Sequence, residues 1–112
     1  MNTETIAMTL IAYSGDARTL AFQALQAAKK GDFDKADCLM EESEKASTQA
    51  HKAQTDILVA EANGERADIN VLLIHSQDHL MTSMLAQELI NEMIQMYKQQ
   101  KNKDSVKFRM KK

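Results

Sequence analysis

Proline is absent from this 112-residue chain and glycine occurs three times. These are the two residues that cost most inside a helix, so little here interrupts one. Tryptophan is also absent, and two Tyr and three Phe make up the aromatic set. So few aromatic side chains argue against a β-sandwich core. Cys38 is the single cysteine, which excludes a disulfide within the chain. It agrees with a reducing compartment, and its expected place is that of a small buried hydrophobe. No segment approaches the roughly 18 apolar residues needed to cross a bilayer. The start "MNTETIAM" lacks the basic residues and apolar stretch of a signal peptide. A soluble, cytoplasmic protein with no membrane insertion is the expectation. Charge of one sign is lacking as well, at a net −2. A nucleic-acid binder normally shows a basic face. The only basic cluster is "KNKDSVKFRMKK", residues 101–112. It reads as a flexible, solvated tail rather than a nucleic-acid or membrane patch.

What is present favours helices. Ala, Gln, Glu, Lys, Leu and Met are abundant, and all lose little on entering a helix. Eight methionines suit an adaptable helical interior or a surface that takes more than one partner. The length fits one domain over 1–112. Gly31 and Gly64 divide it into three segments. In the first, from about Thr3 to Lys30, Ile6, Leu10, Tyr13, Ala17, Leu20, Ala24 and Ala28 recur at steps of three or four. Gly15 interrupts that run, either tolerated or making room for a close approach. Asp32 can cap the second helix. Its inner stripe is Ala36, Met40, Ser43, Ala46, Ala50, Ala53, Ile57 and Ala60, mostly small residues that let helices pack close. His51 flanks this stripe, and a half-buried, hydrogen-bonded imidazole is expected there.

"NGER", residues 63–66, closes the second helix, and Asp68 can cap the third. The third is predicted to reach about Gln100, about 45 Å at 1.5 Å per residue. Its inner stripe reads Val71, His75, Asp78, Thr82, Leu85, Leu89, Met93 and Met96. Beside it run Leu72, His79, Met81, Ala86, Ile90, Ile94 and Tyr97. Together they cover more than one face, which is more than one small bundle can bury. The predicted architecture is all-α, an antiparallel three-helix up-down-up bundle whose third helix is covered further by self-association.

The stretch "LLIHSQDHLM", residues 72–81, sets two histidines and an aspartate among apolar residues. His75 and Asp78 are spaced i, i+3, and His75 and His79 are spaced i, i+4, so one helical surface carries all three. Two histidines one turn apart can share a Zn²⁺, but Ser76 stands where H-E-x-x-H has its glutamate. Core histidines satisfied by Asp78 are the plain structural alternative. The third is nucleophilic catalysis, in which a neutral imidazole nitrogen takes and holds a phosphoryl group. Apolar walls would then shield the adduct from water. The residues alone leave these three open. Asp78 has no Lys or Arg at i±3 or i±4. Were third helices to meet around an axis, copies of this carboxylate would repel, and a divalent cation would relieve them. Mg²⁺ is the ordinary choice. In a monomer, Asp78 would be solvated.

"HSQDHLM" resembles the active-site signature of the enzyme IIA component of the lactose/cellobiose (N,N'-diacetylchitobiose) family of sugar phosphotransferase systems. "SGDARTLAFQALQAAKKGDFDKAD", residues 14–37, is similar to the family's first hairpin, and "AHKAQTDILVAEANGE", residues 50–65, to the end of its second helix. The resemblance runs from about Ile6 to Tyr97. It implies a homotrimer of three-helix bundles in which His75 accepts phosphate on Nε2 from the phosphocarrier HPr. The group would pass to a cysteine of the cognate IIB component, and the sugar, a β-linked disaccharide, would enter through the membrane component IIC. Asp78 would be the residue through which three chains share a divalent metal. Gln77 and His79 match the motif as neighbours of the active site. Ser76 and Ile74 depart from the commoner alanine and valine. A different class of function, a non-catalytic helical adaptor trimer with a structural metal at Asp78, would use the same residues to organise its core.

Overall fold

The computed structural model describes residues 2–66 and 68–111, so Met1, Ala67 and Lys112 lie outside the described residues. Three helices follow in order: α1 (Thr3–Lys29), α2 (Phe33–Ala62) and α3 (Val71–Lys111). No strand occurs among the described residues. The all-α, up-down-up bundle expected from the sequence is the fold observed.

Local chemistry sets the helix ends. Asn2 Oδ1 accepts from the Thr5 N–H at 3.1 Å, Asp32 Oδ1 from Lys35 at 3.2 Å and Asn70 Oδ1 from Leu73 at 2.9 Å. Each satisfies an orphan donor of a first turn, an effect of about 1 kcal/mol. The cap of α3 is thus Asn70 and not Asp68. Its side chain sits at the correct offset from the first helical residue, Val71. At the C-terminal ends the two glycines do the same work twice. Gly31 (φ 83°) donates to Ala28 and the next residue to Ala27, both at 3.0 Å. Gly64 (φ 89°) donates to Glu61 at 3.0 Å, and Glu65 to Ala60 at 2.9 Å. Both are Schellman closures, and their positive φ is the region glycine reaches without a Cβ penalty. Asp32 therefore ends one helix and caps the next, which makes the α1–α2 connection short.

The core is a seam of small residues. On α1 the buried row is Ala7, Leu10, Ser14, Ala17, Ala21, Ala24 and Ala28, alternating steps of three and four. On α2 it is Ala36, Met40, Ser43, Ala50, Ala53 and Ile57. This 3.5-residue repeat belongs to shallow, near-parallel helix packing, and alanine allows close approach. The α2 stripe holds as expected at these six positions, while Ala46 and Ala60 are half-buried. On α1 Leu10, Ala17, Ala24 and Ala28 hold as expected, but Tyr13 is turned outward. Two apolar clusters divide the length. One gathers Ala21, Ala24, Met40, Ile90 and Ile94, the other Leu10, Ala50, Ala53, Ile57 and Leu80. Between them Gln87 donates to Ser43 Oγ at 2.9 Å, and Ser43 donates to the Ala17 carbonyl at 2.6 Å. That relay joins all three helices through polar groups whose partners are fixed, which pins their register.

Several expectations are corrected. The predicted inner stripe of α3 faces outward: Val71, His75, Asp78, Thr82, Leu85, Leu89, Met93 and Met96 are all exposed. The inner row is Leu73, Ser76, Leu80, Ser83, Gln87, Ile90 and Ile94, again at steps of three and four, with Leu73 and Gln87 half-buried. The bulkier residues lie outside because the alanine seam of α1 leaves room for serines. α3 packs chiefly on α1 and barely on α2. It also continues past Gln100 through residue 111, about 60 Å in all. The basic segment is therefore helical up to the undescribed Lys112. Cys38 is exposed rather than buried, because its position lies off the α2 stripe. His51 is exposed too, and is not a half-buried, bonded imidazole. Among the described residues, no atom beyond the neighbouring backbone of α1 comes within 4 Å of where a Cβ at Gly15 would stand, so no close approach within the bundle accounts for it.

Candidate functional site

The first two turns of α3 position the site. Asn70 fixes where the helix starts, and Ser76, fully buried, donates to the Leu73 carbonyl at 2.6 Å. With Ser76 and Leu80 turned into the bundle, His75 and His79 must project from the flank. His75 is exposed and His79 half-buried. Their Nε2 atoms are 3.0 Å apart, and the rings meet edge to face with centroids 4.4 Å apart.

That contact constrains the protons. A hydrogen bond between two Nε2 atoms needs one proton, so one ring donates and the other accepts. Burial, first, and then the positive charge of His75 and of Arg18, hold His79 below its ordinary value, while Asp78 pulls the other way. The Nδ1 of His79 is buried and has no partner. Placing the proton on His79 Nε2 leaves a bare acceptor there rather than an orphaned buried N–H, the rarer condition in proteins. In that arrangement His75 carries its own proton on Nδ1 and its Nε2 accepts from His79, so the Nε2 lone pair is open to an electrophile only when that contact parts. A nucleophile requires that tautomer.

The four motif residues are brought together only in part. His75 and His79 form one unit. Gln77 instead donates to Gln54 Oε1 on α2 at 2.8 Å, and bonds to neither ring. Asp78 is exposed, and its backbone carbonyl accepts from Thr82 at 2.7 Å. Its carboxylate has no salt bridge among the described residues. The structural alternative of a core histidine satisfied by Asp78 is therefore not what forms: His75 is at the surface, and its ring partner is His79. Arg18 on α1, whose charge is felt at His79, is the residue that sequence reasoning missed. A lone Arg three residues after Gly15 carries no spacing signal of its own.

Around the pair lies an apolar rim. Ile74 is 55 % exposed, Met81 67 % and Val71 83 %. The row continues away from the histidines through Leu85, Leu89, Met93 and Met96, all exposed. Asp78 stands within this row. Among the described residues of one chain, no three His, Cys, Asp or Glu side chains gather to hold a metal. A single hard-oxygen donor on an apolar surface fits a cation only if other copies of the chain supply further carboxylates.

Comparison with known proteins gives one consistent result. Residues 5–98 match the family described as "PTS system, Lactose/Cellobiose specific IIA subunit". The chain is 47 % identical over 89 residues to the lactose-specific EIIA component of Staphylococcus epidermidis, covering 80 % of this chain and 86 % of that protein. It is similar to the crystal structure of the cellobiose-specific enzyme IIA from Bacillus anthracis, with a TM-score of 0.89 and 44 % identity, over 92 % of this chain and 94 % of that one. It also matches the IIA(chitobiose) chain of a complex with HPr from the Escherichia coli phosphotransferase system, with a TM-score of 0.78 and 42 % identity, over 90 % and 98 %.

Proposed function

Because the chain belongs to the lactose/cellobiose-specific IIA family of the sugar phosphotransferase system, whose members are phosphotransfer proteins, we propose that His75 is its phosphoryl carrier. One observation carries this reading: an exposed imidazole, His75, whose Nε2 lies 3.0 Å from the Nε2 of a half-buried His79. Once the contact with His79 parts, the His75 Nε2 lone pair attacks the phosphorus of phospho-HPr in line, the P–N bond to HPr breaks, and an Nε2–P bond forms. His75 keeps its proton on Nδ1, so the ring is cationic after transfer and leaves readily. A thiolate of the cognate IIB component then takes the phosphoryl group, and neutral His75 returns. Such transfer needs mostly positioning. The His79 Nε2–H, freed from His75 before the attack, is placed to donate to a phosphoryl oxygen. A contact from Gln77 to that group would first require its bond to Gln54 to break.

The complex of a related IIA chain with HPr supports HPr as the donor. The rim of Val71, Ile74 and Met81 offers apolar surface for transient docking. IIB, and IIC through it, follow as later partners, with a β-linked disaccharide as the cargo. No helix among the described residues is long and apolar enough to cross a membrane, and we place the chain's work in the cytoplasm. The outer row of α3 is the surface through which three copies assemble. One Asp78 from each would hold a divalent cation, Mg²⁺ by oxygen preference. When bound, the ion neutralises charge in the seam and takes no part in the transfer.

Incubation with phosphoenolpyruvate, enzyme I and HPr should give an acid-labile phosphoryl group on the wild type and none on His75→Ala. Equal labelling of the variant would move the carrier to another residue. Labelling of neither would leave the adaptor function standing.

A further inference from the structure

The far end of α3 is not used by phosphoryl transfer and lies outside the family-matched residues 5–98. Six cations and one acid leave +5 on residues 101–112, while eight cations and fifteen acids leave −7 on residues 1–100. The near-zero net charge therefore hides a strongly polarised molecule. Lys103, Val106, Lys107 and Met110 are spaced i, i+3, i+4, i+7, so they share one face of the helix. Val106 is 52 % exposed and Met110 82 %.

We propose that this face docks on an anionic phospholipid surface. A second copy of the chain is the wrong occupant. The apolar outer row ends at Met96, and Lys103 and Lys107 continue it with charge that would repel its own kind. Apolar side chains flanked by lysines fit a bilayer interface instead: Val106 and Met110 enter the headgroup boundary while lysine stems lie along it and their ammonium groups reach lipid phosphates. A nucleic acid would use the cations and leave Val106 and Met110 idle. The negative body would be held off the same membrane, so the helix docks by its tip. About 31 residues separate Val106 from His75, about 45 Å along α3, so docking leaves the histidines accessible. The proposal does not rest on phosphoryl transfer.

Co-sedimentation of the full chain with vesicles tests it. Vesicles of phosphatidylcholine with about 30 % phosphatidylserine should carry the protein down, and pure phosphatidylcholine should not, with binding weakened by salt. Each cation near such a surface contributes about fivefold, so Lys103→Glu/Lys107→Glu should lower partitioning at least about 25-fold. Val106→Ser/Met110→Ser should lower it several-fold with charge unchanged. Helicity by circular dichroism serves as the folding control, since both changes are at exposed positions. Absence of binding by the wild type, or equal binding by the charge-reversed variant, would overturn the proposal. So would an unaffected Val106→Ser/Met110→Ser variant together with equally tight binding to a duplex oligonucleotide, which would assign the tip to nucleic acid. Failure of His75 labelling with vesicle binding intact would reject the phosphocarrier reading alone.

Discussion

Leu89→Glu should take the assembly apart at concentrations where the wild type holds together. Leu85, Leu89, Met93 and Met96 are 56, 51, 42 and 66 % exposed, so roughly half of each side chain remains to be covered. Full burial of such a side chain contributes about 1.5–3 kcal/mol, and half of it about 1 kcal/mol. The four together contribute about 4 kcal/mol per chain and about 12 kcal/mol per trimer, comparable to the cost of association. The margin is therefore narrow, and one position can decide it. Glutamate at 89 loses the leucine's share and must also desolvate a carboxylate, so about 2 kcal/mol per chain is a floor. Three chains lose about 6 kcal/mol, about four decades in the association constant. For a trimer the midpoint concentration follows the square root of that constant, so it rises about a hundredfold. Sedimentation equilibrium over a concentration series measures it directly. Leu58→Glu is the control, since Leu58 on α2 is 55 % exposed but lies off the row. A wild type that is monomeric throughout, or a Leu58→Glu variant as disrupted as Leu89→Glu, would refute the assignment of this surface.

Asp78→Leu should give an assembly that no longer responds to a chelator, whereas the wild type should weaken when divalent cations are removed; equal chelator sensitivity would detach Asp78 from the cation. His79 is held below its ordinary value of 6.5 by burial first and by the charges of His75 and Arg18 next. The unfolded chain therefore takes up that proton first, so the stability present above about pH 6.5 is lost as pH falls through the folded value. Between about pH 7 and 5 the melting temperature of the wild type should drop more than that of His79→Asn, and parallel curves would remove His79 from the balance. Ala21→Leu should destabilise by about 1–3 kcal/mol, because Ala21 is fully buried in the small-residue seam beside Ile90 and Ile94 and a larger side chain must force the helices apart. Denaturant unfolding reads that directly, and an unchanged midpoint would mean that the seam has slack.

The fold was legible because punctuation and period agree. Gly31 and Gly64 stand where a left-handed residue ends each helix, and Asp32 caps where the spacing placed it. The rows of α1 and α2 were legible because each carries a single apolar period. α3 carries two heptad rows about two residues apart, one of Leu73, Ser76, Leu80, Ser83, Gln87, Ile90 and Ile94, the other of Leu85, Leu89, Met93 and Met96. Side-chain size favours the second as core. What decides against it is the partner helix: the alanines of α1 take small residues, and that complementarity is a property of two segments at once. The cap of α3 was not legible for a similar reason: Asp68 is as good a capping residue as Asn70, and only the observed start of the helix at Val71 selects Asn70.

The site was legible to the level of spacing, and no further. The i, i+4 interval of His75 and His79 put the rings on one surface, and the structure adds that their Nε2 atoms lie 3.0 Å apart. Gln77, two residues from His75, lies on nearly the opposite side of the helix, where it meets Gln54. A motif read as a string makes neighbours of residues that a helix sends apart. The correction to α3 completes the mechanism. Were the bulky row the inner one, His75 and Asp78 would be in the core, and no protein could reach the imidazole. Because serines and alanines fill the bundle instead, the row holding His75 and Asp78 is released to the surface, where Asp78 can meet its own copies and His75 can meet a donor. The small-residue seam between α1 and α3 is thus the structural condition for an accessible imidazole at His75, which the proposed role requires.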